Sequence, residues 1–114
     1  MSLKLKIITP DIIQVNEETS EVMIGGYEGH FTIFSDHTPF VSRLKISTGY
    51  YVKNNNLYGF TIKGGFCSVD NNEVLVITSS YVEEKINKRT DVYDKTLELA
   101  NMEREEVGKY FDRV

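Results

Sequence analysis

Two histidines, His30 and His37, stand seven residues apart with Glu28 and Asp36 close by, a grouping of side chains that could move protons or bind a metal. A metal centre would need a third ligand at the same point, and hydrolysis would need a nucleophile and an ordered carboxylate. Residues adjacent in sequence do not face one point by default, and no HExxH, GxSxG or CxxC arrangement reinforces the pair. A small hydrolase using His37 with Asp36 would require a nucleophile within hydrogen-bond reach of His37. No catalytic residue, cofactor-binding residue or metal ligand is expected. His37 then has two readings: a loop residue bonded to backbone that fixes the turn before Pro39, or a contact for a partner. Gly64 and Gly65 in KGGF enter a strand, whereas a phosphate loop opens a helix, so a bulge or corner is expected there. Cys67 is the only cysteine, which excludes an intramolecular disulfide and a paired-thiolate metal site and predicts a small buried residue.

The elements that must hold these residues are β-strands. Both histidines fall in Gly25–Leu44, GGYEGHFTIFSDHTPFVSRL, a shaped surface loop bordered by strand-like runs, in which Pro39 fixes its own φ and pushes Thr38 toward extended geometry. From Leu3 to about Tyr81 the chain reads as short apolar runs of period two, as where Leu3, Leu5 and Ile7 alternate with Lys4 and Lys6. Asn54–Asn56 and Asp70–Asn72 separate such runs and predict hairpins, because asparagine tolerates left-handed backbone. Many short strands without intervening helices predict an antiparallel β-sandwich. Near Glu83 the period changes. Ile86, Tyr93, Leu97, Ala100, Val107 and Phe111 form a stripe, with Arg104 at its remaining position, capped by Thr90 or Asp91. This predicts one amphipathic helix of substantial length, running on to Val114 with no turn for a helical hairpin. The domain division expected is 1–84 for the sandwich and 85–114 for the helical segment.

At 114 residues the chain has room for one core and a short appendage. It is 40% apolar and 26% charged, with a net charge of −4, which argues against a nucleic-acid partner. No apolar run approaches the roughly 20 residues of a transmembrane helix, and Met1–Pro10 lacks the apolar core of a secretion signal. A soluble chain in a reducing compartment is expected.

The spacing Gly26, Gly29, Ile33, His37, Pro39, taken with KGGFCSVDNNEVLVI at Lys63–Ile77, resembles the epsilon subunit of F-type rotary ATP synthases over roughly residues 3 to 82. The resemblance implies a β-sandwich of about ten strands and a non-catalytic central-stalk role, coupling the gamma subunit to the membrane c-ring during proton- or sodium-driven ATP synthesis. By the same resemblance Glu28, Gly29, His30, Phe31 and Phe34 meet the c-ring, and Thr9, His37, Phe40 and Val41 meet gamma. The C-terminal helix would be the contact with the catalytic alpha and beta subunits, at the cytoplasmic face of the cell membrane. Departures accompany the match: Thr32 stands where the family has glycine, and SDHTPF replaces the commoner form in which proline and glycine precede the histidine. The 30 residues after Glu84 are too few for the family's helical hairpin, so its second helix is expected to be missing. INKRT at 86–90 lacks the family's nucleotide signature, with Asn87 for the acid and Thr90 for the arginine, so ATP is not expected to bind. From a different class, the rival reading is a free-standing β-sandwich module that recognises a small ligand or sugar in one concave polar pocket.

Overall fold

The alternation of apolar side chains decides which way each strand faces, and two long strands decide how the layers close. The computed structural model describes residues 2–112. Eight strands run in the order β1 (Leu3–Ile8), β2 (Ile13–Thr19), β3 (Val22–Gly26), β4 (Gly29–Ile33), β5 (Phe40–Lys53), β6 (Asn56–Asp70), β7 (Glu73–Ile77) and β8 (Tyr81–Glu84). Two helices follow, α1 (Asp91–Ala100) and α2 (Arg104–Phe111).

All eight strands form one continuous sheet, β2-β1-β7-β6-β5-β3-β4, with β8 added beside β6. β6 pairs with β8 through Gly59–Ile62 and with β7 through Phe66–Asp70, so it leaves one layer and enters the other between those segments. The switch falls at Gly64 and Gly65, with φ of 75° and 109°. A Cβ on Gly65 would lie 1.9 Å from the Ile77 carbonyl oxygen, so only glycine lets the strand turn there. The expected corner is present. β5 follows β6 in unbroken antiparallel register from Phe40↔Val69 to Lys53↔Asn56 and bends with it. The first layer is therefore β2, β1, β7 and the adjoining halves of β6 and β5; the second is β8, the other halves, β3 and β4. Counting each long strand once per layer brings the eight to the expected ten.

One pairing departs from an all-antiparallel sandwich, for β1 and β7 run parallel from Lys4↔Glu73 to Ile8↔Ile77. Both asparagine turns are hairpins, with positive φ at Asn54 and Asn55 and again at Asn71 and Asn72, as a type I′ turn requires. Between the layers lie Leu3, Leu5, Ile7, Ile24, Ile33, Phe60, Ile62 and Val76, with Cys67 fully buried among them. Burial in that apolar setting pushes the Cys67 thiol up to about 12, so it remains protonated.

The C-terminal segment corrects two expectations. It is not one helix: α1 ends where the Asn101 and Met102 amides bond to carbonyls of its last turn, and a new helix begins at Glu103. Glu103 and Glu106 form a reciprocal capping box around extended backbone at Glu103. Glutamate is an uncommon N-cap, which hides the break from the sequence. Nor is the second helix missing, because α2 returns so that the Tyr110 hydroxyl donates to Glu84 and the Lys95 ammonium lies 5.5 Å from the Tyr110 ring. Val114 lies outside the described residues.

The buried stripe is also one residue out of phase with the predicted one. Val92, Thr96 and Leu99 face the sheet, while Tyr93, Leu97 and Ala100 face outward. A short helix admits either phase from its sequence, and the outer face of the second layer selects this one. There Val92 packs with Met23, Tyr50, Val52, Leu57 and Ile86. Thr90 is the N-cap residue without a side-chain bond; Asp91 instead accepts the Asn87 and Lys88 amides through Oδ2.

Arg89 anchors the connection into α1, donating to both carboxylate oxygens of Glu21 at 2.8 and 2.9 Å, while the Tyr50 hydroxyl bonds to the same carboxylate. The bond from Arg89, with help from Tyr50, holds Glu21 below its ordinary value of 4.5 against a smaller opposing effect of burial. The stabilisation is present above the unfolded value and is lost as pH falls through the lower folded one. The melting temperature of the chain should therefore fall more steeply below pH 4.5 than that of Glu21→Gln. Parallel slopes in acid would contradict this.

A chain ending at Glu84 should still unfold in one cooperative transition, because no described helical residue lies in the inter-layer core. Its midpoint should be lower, since Met23, Tyr50 and Val52 lose their cover. In the full chain, Leu99→Ala should cost about 2 kcal/mol or more in urea unfolding.

Candidate partner interface

The sheet presents two outer faces, and among the described residues only one of them is covered. On the second layer α1 is seated through a polar clamp as well as the apolar contacts. The Thr48 amide donates to Thr96 Oγ1 at 2.9 Å, and Thr48 Oγ1 lies 2.7 Å from Thr61 Oγ1. His30 joins them: its Nε2 donates to the Thr48 carbonyl at 2.9 Å and lies 3.3 Å from Thr96 Oγ1, while its ring meets Tyr93 edge-on at 5.0 Å. Burial, opposed by the Thr48 bond and aided by the nearby Lys45 charge, holds His30 below its ordinary value, so it is neutral near pH 7.

The outer face of the first layer carries an apolar row that no described element covers. Successive pairings set Ile13, Ile8, Ile77, Phe66 and Arg43 side by side. The next row holds Lys6, Leu75, Ser68 and Val41. Ile77 is 53% exposed, Phe66 54% and Val41 74%, which is unusual for one contiguous face of a small domain. Arg43 closes the first row, its guanidinium 4.6 Å from the centre of the Tyr27 ring.

The nine interface residues expected from the resemblance are spread over this architecture. Val41 lies on the open face. Glu28 is exposed at the β3–β4 turn, with Gly29 beside it at φ 126°. His30 points into the helix clamp. Phe31 and Phe40 meet edge-to-face at 5.2 Å and plug one open side of the sandwich, half-buried against its core. The two sets therefore touch through this pair. Phe34 is exposed beyond the far end of β4 from Glu28. His37 is exposed; its Nδ1 donates to the Thr38 carbonyl at 2.7 Å and its ring leans on Phe40 at 4.9 Å. This is the backbone-bonded loop geometry that was one of its two readings. Asp36 is tied instead to the β6–β7 turn, its amide donating to Asn72 Oδ1 at 2.6 Å. Thr9 is buried, accepting from Gln14 and donating to the Ile12 carbonyl. It follows β1 beside Ile77, at the opposite end of the first layer from the turn that holds Asp36.

Phe66, Ile77, Ile13 and Tyr27 escaped the sequence reading. The signal for the β7 residue was present, because EVLVI is apolar at both parities of a strand and so has an apolar outer face. Among the described residues no three His, Cys, Asp or Glu side chains gather as a metal site, and no helix is long and apolar enough to cross a membrane.

Residues 2–84 match the family model for the beta-sandwich domain of the ATP synthase delta/epsilon chain. The ATP synthase epsilon chain of Nitratidesulfovibrio vulgaris is 39% identical over 79 residues, covering 69% of this chain and 59% of that one. That of Thermodesulfovibrio yellowstonii is 37% identical over 78 residues, covering 68% and 56%. The chain thus spans less than two thirds of the length of these curated relatives. A chain in the structure of the Euglena gracilis mitochondrial ATP synthase, OSCP/F1/c-ring in rotational state 1, has a TM-score of 0.69 at 18% identity, covering 96% of this chain and 61% of that one. A chain of the Tetrahymena thermophila mitochondrial ATP synthase central stalk and c-ring has a TM-score of 0.62 at 13% identity, covering 88% and 91%. At such identities the two structures share the fold. With the family model spanning residues 2–84, the chain belongs to the ATP synthase delta/epsilon chain family through its beta-sandwich domain.

Proposed function

We propose that the chain is a non-catalytic central-stalk subunit of a rotary ATP synthase, joining the gamma subunit to the membrane c-ring and transmitting proton- or sodium-driven torque between them. The observation that carries this reading is the uncovered apolar outer face of the first layer, which suits a lasting protein contact. Its relatives, which are ATP synthase epsilon chains, and the stalk and c-ring assemblies that hold its structural neighbours support the choice of partners. Gamma would lie on the face of Val41 and Ile77, reached at its two ends by Thr9 and by His37 with Phe40. The ring would meet the Tyr27–Gly29 turn, with His30, Phe31 and Phe34 along the same strand and its exit. Two packed layers sharing continuous strands deform little, which suits transmission of torque. The complex would hold the chain at the cytoplasmic face of the cell membrane, with the helices turned toward the alpha and beta subunits. ATP binding is not part of this reading.

Two substitutions separate contact from core. Val41→Asp places a charge on the open face and should abolish co-purification with gamma while the melting temperature of the isolated chain stays within a degree or so. Phe31→Ala should instead cost about 2 kcal/mol or more of stability, because the ring is part of the plug against Phe40. Normal gamma binding by a folded Val41→Asp chain would remove the open face from the interface.

A further inference from the structure

We infer that the cleft at the Gly64–Gly65 corner binds the headgroups of anionic phospholipids. This inference rests on the stalk reading only in that the β3–β4 turn, which would face the ring, forms one wall of the cleft. The cleft has a volume of about 450 Å³, and its walls include Tyr27, Arg43, Lys45, Lys63, Gly65 and Phe66. The chain as a whole is acidic, with 17 Asp and Glu against 13 Lys and Arg, yet three cations and no carboxylate line this space among the described residues. None of the three is in an ion pair among those residues; the pairs found use Lys53, Arg89 and Lys95. Cations gathered without counter-charges make a local positive potential that an anion relieves. The nearest acid along the chain, Glu28, opens on the neighbouring groove beside Arg43.

The aromatic walls decide between a lipid and a free anion. Phosphate alone would need only the cations, but here Tyr27 is 62% exposed and Phe66 54%, on either side of Arg43. Arg43 stacks on Tyr27 and pairs across the strands with Phe66. Aromatic rings beside basic side chains suit the boundary between headgroups and acyl chains, where the ring takes the apolar side and the cation takes the phosphate.

The test is co-sedimentation of the full chain with vesicles of phosphatidylcholine alone or mixed with phosphatidylglycerol. Binding is expected only to the mixed vesicles and should weaken with added salt. Lys45→Gln and Lys63→Gln should each lower the partition coefficient about fivefold, and Arg43→Gln likewise. Lys109→Gln, on α2 away from the cleft, should leave it unchanged. All four variants should melt with the parent, which separates lost binding from lost folding. Equal binding to neutral vesicles, no binding, or indifference to the three cleft substitutions would overturn the inference. Saturable binding of inorganic phosphate without vesicle binding would overturn it in favour of a small-anion site. Dependence of c-ring capture on Lys45 and Lys63 without vesicle binding would make the cleft a protein contact instead. Vesicle binding together with failed gamma and ring co-purification would leave the headgroup site standing and remove the stalk reading.

Discussion

The structure depends on two long strands that must bend together. β5 and β6 contain 14 and 15 residues in one register, and each serves both layers. The sandwich is thus a single sheet folded along a line through Gly64 and Gly65, where the Ile77 carbonyl comes too close for any side chain on Gly65. A side chain there would push β6 off β7 or straighten the fold line, and either change would open the core between Val76 and Ile62. The Asn54–Asn55 turn sets the register of the hairpin, so the turn and the corner fix the positions of all the remaining strands.

Closing the sheet in this way leaves two outer faces with different fates. The face of the second layer is apolar at Met23, Tyr50 and Val52 and polar at Thr48 and Thr61, and α1 matches both parts with Val92 and Thr96. The Glu21 carboxylate, bound by Arg89 and Tyr50, ties the connection that delivers the helix to this face. The face of the first layer has no such cover within the described residues. Ile77, Phe66 and Val41 stay in the open, and it is this asymmetry that gives the proposed gamma contact a definite side.

His30 shows how the covered face bears on the open one. Its place in the strand alternation directs it outward, where a partner contact would be expected, but the outward direction of β4 is the side on which α1 lies. The ring is held between Thr48, Thr96 and Tyr93. Glu28 and Tyr27, at the turn before it, are left to meet the ring of the proposed complex. The same turn supplies the wall of the basic cleft, so the two surfaces meet at Arg43.

The sequence by itself determined what depends on near neighbours in the chain. Period-two alternation gave β1 and β7 their inward faces, asparagine pairs gave both hairpins, and consecutive glycines gave the corner, because strand direction and turn geometry are set within a few residues. The motif spacing also carried the family. Pairing between distant segments is different, since nothing local selects a parallel partner for β1 or reveals β2, whose largely polar run IQVNEET turns only Val15 and Thr19 inward. The helix was legible as amphipathic, but its phase belonged to the surface it docks on, and its break to a glutamate cap that sequence statistics do not favour. Tertiary structure alone decided that Phe31 and Phe40 share one plug and that Thr9 and His37 stand at opposite ends of a layer. Those facts follow from where β5 and β6 bend, and side chains brought together by a bend carry no mark of it in their own stretch of sequence.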